Sequence, residues 1–202
     1  MATIINIYKY TNKDVSYRTQ TGVYHDSKHK RAVATDAHIL IASTKHYNEN
    51  FAEQIIDKDG KDVSIKDRPK QGFPNYTSVK QTFPKLICDM FKMPADLAGK
   101  IAAYKKARKE QKFSAKQTRI FVRRNFIDKE DGTTHTICFK YEYLKMFLDA
   151  AKYIEAKEIW FIDKTHSIQA KSGDSFVLVM PVIPIETPDN IDNPEEPFYI
   201  TI

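Results

Sequence analysis

Between Thr134 and Val182 the sequence leaves room for one kind of architecture. THTICFKY reads as a strand, and helical spacing takes over from about Tyr141 to Ala156. Leu144, Phe147, Leu148, Ala151 and Ile154 form one apolar face there, while Lys145, Asp149 and Lys152 face away. Three β-rich segments follow, EIWFID, SIQAK and FVLVMPV, with turns at Asp163-Lys164 and Ser172-Gly173-Asp174. Turns this short join antiparallel neighbours, because a parallel pair needs a crossover of about a dozen residues or more. A helix followed by closely spaced strands predicts an α+β fold, with antiparallel sheets and the helices on one face.

The rest of the chain extends this pattern. PADLAGKIAAYKKARKEQ, Pro94 to Gln111, predicts a second helix, with Pro94 suited to its first turn. Leu97, Ile101 and Tyr104 recur at helical spacing with Ala103 and Ala107 beside them, and Lys105, Lys106 and Lys109 fall on the opposite face. RIFVRRNF adds a strand, joined to THTICFKY by the turn DKEDGTT. Nearer the start, a short strand is predicted over Ile4–Tyr8, then a strand from Val23-Tyr24, a turn at Asp26-Ser27-Lys28, and strands over Arg31–Ala34 and His38–Ser43. Residues 57–75, rich in Asp, Lys, Gly and Pro, predict loops around one short strand near Val63. No short-period tandem repeat is visible.

Composition bounds the function. The 202 residues are 42% hydrophobic and 29% charged, the balance of a globular chain with a real core. No apolar run is long enough to cross a bilayer, and MATIINIYKYTNKD lacks the basic start and apolar stretch of a signal peptide. A cytoplasmic protein with no membrane partner is expected. Cys88 and Cys138 sit in apolar stretches and read as small buried hydrophobes. The net charge is +6, but five acids, Glu186, Asp189, Asp192, Glu195 and Glu196, fall in the last 18 residues, which hold no Lys or Arg. The first 184 residues thus carry 32 basic against 21 acidic residues, a net of +11. A basic body with an acidic tail is compatible with a polyanionic partner.

Catalytic signatures are missing. Of six histidines only His25 and His29 stand close, around a turn with no nearby Cys or paired helical acid, so solvated turn histidines are expected rather than a metal site. The chain has no P-loop, GxGxxG, GxSxG or HExxH. Asp36 near His38 is a weak acid–base pattern, and six glycines leave little for a phosphate-cradling loop. The expectation is a protein without enzymatic activity, metal or cofactor.

Three segments, in order, carry a family resemblance. The first is DVSYRTQTGVYHDSKHKRAVATDAHILIAS, ending in Thr35-Asp36-Ala37-His38-Ile39-Leu40. The second is Gly72-Phe73-Pro74-Asn75-Tyr76, with Val79 following, and the third runs from Tyr143 through FVLVMPV to Met180-Pro181-Val182-Ile183-Pro184. They resemble the T-D-G-H-R-L, F-P-D-Y-x-x-V and terminal M-P-M-R-L segments of the β subunit of bacterial DNA polymerase III, the sliding clamp. The resemblance covers most of residues 14–184 and is weakest over 44–70 and 86–115. It implies a shortened, divergent member with a DNA-clamp-like fold: a reduced lobe over residues 1–85, a fuller lobe over 86–184, and an acidic tail over 185–202.

The resemblance also implies a function. Clamp helices line a channel and meet DNA phosphates without reading sequence. Lys105, Lys106, Lys109, Lys145 and Lys152 are the candidates for that contact with double-stranded DNA, against the plainer reading of a solvated helix face. Clamps also hold short peptides of polymerases and other replication proteins in a hydrophobic pocket. Carried over position by position, Thr35, Ala37, His38, Leu40, Pro74, Val79, Leu178, Met180 and Pro181 would line it; the plainer reading is ordinary core, which suits Leu178 best. Ala37 stands where the family has Gly, Ile39 where it has Arg, and Val182-Ile183-Pro184 replaces Met-Arg-Leu. The expected role is a processivity-type replication accessory, with a homo-oligomeric ring as one possibility. The alternative is a non-encircling adaptor or decoy that binds replication proteins only. The tail ends in Phe198, Tyr199, Ile200 and Ile202, apolar enough to predict packing as an edge strand, over the pocket or on a neighbour.

Overall fold

A computed structural model of the chain describes residues 5–13, 21–64, 73–79, 86–112, 119–128, 131–161, 166–182 and 198–202. In chain order its elements are β1 (Val23–Asp26), β2 (Arg31–Thr35), β3 (Ile39–Ser43), β4 (Ile55–Ile56), β5 (Leu86–Asp89), α1 (Leu97–Glu110), β6 (Ile120–Ile127), β7 (Thr134–Lys140), α2 (Tyr141–Tyr153), β8 (Glu158–Phe161), β9 (Ile168–Ser172), β10 (Ser175–Val179) and β11 (Phe198–Thr201). Eight strands form one antiparallel sheet in the order β4-β1-β2-β3-β10-β9-β8-β5, and three form a second in the order β11-β6-β7. The α+β reading, with antiparallel sheets and two helices, holds among the described residues, apart from the parallel pairing of β11 with β6. The β3–β10 pair, Ile39 beside Val179 through Ala42 beside Phe176, joins strands more than a hundred residues apart in sequence.

Strands β2, β3 and β10 are buried at every position, so both faces of the sheet centre are covered. One face holds the main core. Ala32, Ala34, Ile39, Ile41, Val177 and Val179 meet Leu144, Phe147, Ala150, Ala151 and Ile154 of α2 there. Each large side chain fully buried in this way stabilises the fold by about 1.5–3 kcal/mol. The other face carries a smaller cluster of Val33, Leu40, Ala42, Tyr76, Phe176 and Leu178. This is the period-two alternation of a strand read on both its sides.

The ends of the helices explain where pattern overshot. Helix α2 stops at Tyr153, not Ala156, because Glu155 adopts φ 65° and Ala156 N donates to Ala151 O at 2.9 Å, a left-handed C-terminal cap. Lys45 Nζ closes that end, donating to Tyr153 O at 3.0 Å and to Glu155 at 2.7 Å. Helix α1 begins at Leu97, one turn beyond Pro94, and buries Leu97 and Ile101, with Tyr104 half-buried. Ala103 and Ala107 are exposed rather than packed beside them.

Among the described residues two expected strands are absent. Ile7–Tyr10 is a 3-10 turn: Asn6 Oδ1 accepts from Tyr8 N at 3.0 Å, a local side-chain bond that competes with strand pairing. Its Tyr10 hydroxyl donates to Met146 O at 3.0 Å, tying the turn to α2. Near Val63 there is only an isolated bridge, Ile56 with Asp62; the strand is β4, whose Ile55 and Ile56 are buried while Val63 is half-buried. The Asp163-Lys164 turn, most of the acidic tail and residues 14–20 of the first motif lie outside the described residues.

Candidate peptide pocket and basic helix faces

Strand register lines up three of the candidate pocket residues. Thr35 stands opposite Leu40, and Leu40 opposite Leu178, on the sheet face away from α2. One row along, Tyr24, Val33, Ala42 and Phe176 follow one another across four strands. Residues 73–79 pack onto this face: Phe73 stacks on Tyr24 at 5.3 Å, and Tyr76 lies against Phe176 at 6.2 Å. The three sequence segments, remote in the chain, therefore meet on one surface.

A buried polar network pins the 73–79 segment. The Tyr76 hydroxyl donates to the Asp26 carboxylate. His29 approaches the same carboxylate with Nδ1 at 2.6 Å and its backbone N–H at 3.1 Å. Burial alone would raise the Asp26 pKa, but the hydrogen bonds from Tyr76 and His29 outweigh it and hold the carboxyl below its usual range. Burial, then Asp26, push the Tyr76 phenol upward. Arg31, itself buried, lies 5.6 Å over the Phe176 ring and reaches Asp174 at 3.0 Å.

The Thr35–Ile39 turn forms the other end of this face. Thr35 Oγ1 accepts from Ala37 N at 3.1 Å and donates to Ile39 O at 2.8 Å; Asp36 Oδ1 accepts from the N–H groups of His38 and Ile39, both at 3.0 Å. This bonding turns the chain at Ala37, which takes φ 75°, the left-handed region that favours glycine. Met180 N donates to His38 O at 2.9 Å, so the VMPV segment is fastened to the turn. The His38 ring tilts against Tyr143 of α2 at 5.2 Å.

Thr35, Leu40 and Leu178 are buried and make a floor, Pro181 is half-buried, and Ala37, His38, Pro74, Val79 and Met180 are exposed. Three large apolar side chains are exposed among the described residues, and two of them, Val79 at 48% and Met180 at 44%, belong to this set. The Asp26 partner of Tyr76, and Tyr143 behind the His38 ring, are features that motif matching did not single out. The Tyr of the FPNY segment was the available signal.

The lysines lie elsewhere. Lys105, Lys106 and Lys109 on α1 and Lys145 and Lys152 on α2 are all exposed. Lys105 pairs with Glu142 at 3.3 Å, linking the two helices, and Lys145 pairs with Asp149 at 2.9 Å. Between α2 and the Met90–Ala98 stretch runs a groove of about 460 Å³, lined by Met93, Leu97 and Leu148 with Lys145 and Lys152 at its wall. Among the described residues no group of three or more His, Cys, Asp or Glu stands together as a metal site. His25 is buried, its Nδ1 accepting from Asn48 N at 3.2 Å, and burial lowers its pKa. Both cysteines are buried; Cys88 Sγ donates to Ile127 O at 3.0 Å, and burial pushes the Cys138 thiol up to about 11. No described helix is long and apolar enough to cross a membrane.

Sheets with two helices against one side, and register that brings TDAHIL, FPNY and VMPV together, define a clamp-like α+β fold. No protein-family model matches the sequence, and no curated protein does. Solved structures do. The chain resembles the DNA polymerase sliding clamp of Caulobacter crescentus at 16% identity and TM-score 0.55, covering 88% of this chain and 61% of that one. It resembles the Bacillus subtilis sliding clamp at 14% and 0.53, covering 88% and 60%. It resembles the DNA polymerase III β chain of Streptococcus pneumoniae at 15% and 0.51, again covering 88% and 60%. The chain thus has the fold of the bacterial DNA polymerase III β sliding clamps over about 60% of their length.

Proposed function

We propose that this chain is a non-catalytic, clamp-like replication accessory protein that takes extended partner peptides on the β2–β3–β10 face. The observation that carries the reading is that Val79 and Met180 stand exposed on two segments whose Tyr76 and Leu178 join Leu40 of a third in one buried cluster. An apolar floor with a few placed polar groups suits a peptide whose Leu or Phe anchors supply most of the affinity. Thr35, Ala37, His38, Pro74 and Pro181 complete the pocket, and Tyr143 of α2 backs the His38 ring at the sheet's end. On the same reading the chain is two lobes, residues 1–85 and 86–184, followed by an acidic segment. Lys105, Lys106, Lys109, Lys145 and Lys152 serve as sequence-independent contacts for duplex phosphates.

A second reading is an adaptor that binds replication proteins without encircling DNA; it needs no pairing between sheet edges, and the β6 edge is already taken by β11. Titration of a labelled clamp-binding peptide tests the pocket: saturable binding that weakens on replacing Met180 and His38 is expected, and no binding by the parent chain ends the pocket reading. Mass in solution separates the two readings, because a monomer at micromolar concentration excludes a ring.

A further inference from the structure

Strand β11 is the one parallel addition among the described strands. Phe198 to Thr201 run beside Ile120 to Arg123, and Ile202 N adds a bond to Arg123 O at 2.9 Å. Its side chains are held in two different ways. The Tyr199 ring stacks on Phe121 at 5.5 Å, and the Arg123 guanidinium lies 4.3 Å over it. Ile200 and Ile202 pack with Ile120 and with Leu97 and Ile101 of α1. The alternation of a strand separates these contacts: an aromatic slot on one face, two aliphatic slots on the other. The β6 edge and the base of α1 thus recognise an extended segment through its main chain and every second side chain, the mode of strand addition.

The segment arrives on a long lead. Val182 N donates to Cys138 O on the outer side of β7; Cys138 faces Arg123, and Arg123 faces Thr201. Val182 and Thr201 are therefore three strand spacings apart, about 14 Å. The fifteen residues 183–197 can reach as far as about 50 Å. They include four prolines and five acids and no Lys or Arg. The tether is several times longer than the gap, so the same contacts are within reach of a neighbouring molecule. The occupant is also weakly held: Tyr199, Ile200 and Ile202 are only half-buried and Thr201 is exposed. A short edge strand of this kind opens far below the cost of global unfolding.

We propose that the outer edge of β6 is a strand-acceptor site, filled in cis by residues 198–202 and filled in trans by the same segment of a second copy, so that two copies join by exchanging β11. The recognised chemistry is an extended chain parallel to β6, with Tyr between Phe121 and Arg123 and Ile at the two positions facing α1. A tether of this length gives the resident strand an effective concentration of about a millimolar, so exchange grows as protein concentration nears that value.

The test uses the chain shortened after Glu196 and a labelled peptide, Pro197 to Ile202. Saturable binding to the shortened chain is expected, at least about tenfold weaker binding to the full chain, whose own strand must leave first, and loss of binding by the Tyr199→Ala peptide. No saturable binding by a shortened chain of unchanged circular dichroism overturns the proposal, and so does equal binding by both chains. If the shortened chain does not fold, the full chain carrying Tyr199→Ala and Ile200→Ala replaces it, with its resident strand weakened. Sedimentation of the full chain then reads the exchange. A dimer that rises with concentration and dissolves in excess peptide supports it. A monomer throughout, or an oligomer indifferent to the peptide, overturns it.

Discussion

The face that carries residues 73–79 and the face that carries the lysines are built on opposite principles. On the first, residues are placed by others far away in sequence: Tyr76 by Asp26 and Phe176, the Met180 backbone by His38, Leu178 by Leu40. On the second, exposed lysines stand on helix surfaces, and the ion pairs of Lys105 and Lys145 are solvent-facing contacts worth about 0–1 kcal/mol. A converging surface suits a partner of defined shape. A surface of independent charges suits a partner recognised by charge density alone. The two should therefore respond separately to mutation.

The largest effect is expected on the charged side. Lys105→Glu, Lys106→Glu and Lys109→Glu together should weaken duplex binding by about a hundredfold near 0.1 M salt, and reduce the slope of log affinity against log salt by about 2.7. Filter binding over a salt series measures both. Peptide affinity should not change; if it falls in parallel, the surfaces are one site and the contrast fails. Met180→Ala comes next. An exposed side chain costs the fold little, but loss of an anchor contact should weaken peptide binding by about tenfold, more than 1 kcal/mol. Calorimetry of the peptide beside a urea melt separates the two outcomes.

Acid sharpens the contrast further. The carboxyl of Asp26 is depressed in the folded chain, so its contribution is present above the unfolded value of about 3.9 and is lost as pH falls through the folded one. The 73–79 segment should loosen in that window, while the lysine faces stay charged. Asp26→Asn and Tyr76→Phe should each cost about 1–2 kcal/mol at neutral pH, and Asp26→Asn should remove the acid step. Tyrosine near-ultraviolet circular dichroism against pH reads the segment. An undiminished acid step in Asp26→Asn would place the titrating group elsewhere.

Much of this was legible in the sequence, and the boundary is physical. Helix α2 and the strands around it follow from periodicity, because each buries a face whose apolar spacing is local. The Ile7–Tyr10 turn was not legible, since IINIYKY suits a strand until Asn6 bonds back to Tyr8. Nor was the parallel docking of β11, which depends on Phe121 and Arg123 some 76 to 78 residues earlier in the chain. Candidate pocket residues could be proposed by motif, and Leu178 was expected as core, but the motifs did not show that Leu40 is core as well while Val79 and Met180 stand open. Only the pairing of β3 with β10 decides that.

The smallest effect concerns the one position where the converging face is strained. Ala37 holds φ 75° because Thr35 and Asp36 together bind the N–H groups of Ala37, His38 and Ile39. A left-handed alanine costs about 1–2 kcal/mol, and glycine gives back about 0.4–1 kcal/mol through greater freedom in the unfolded chain. Ala37→Gly should therefore stabilise the fold by roughly 0.5–1 kcal/mol, read as a shift of the urea midpoint at constant slope. It should leave DNA affinity alone. Its effect on the peptide is the sharper readout. The turn holds His38 O for Met180 N, so a softer turn that weakens peptide binding while raising stability would show that alanine's rigidity serves the pocket. Destabilisation would instead mean that the methyl group packs in a way that outweighs the backbone strain.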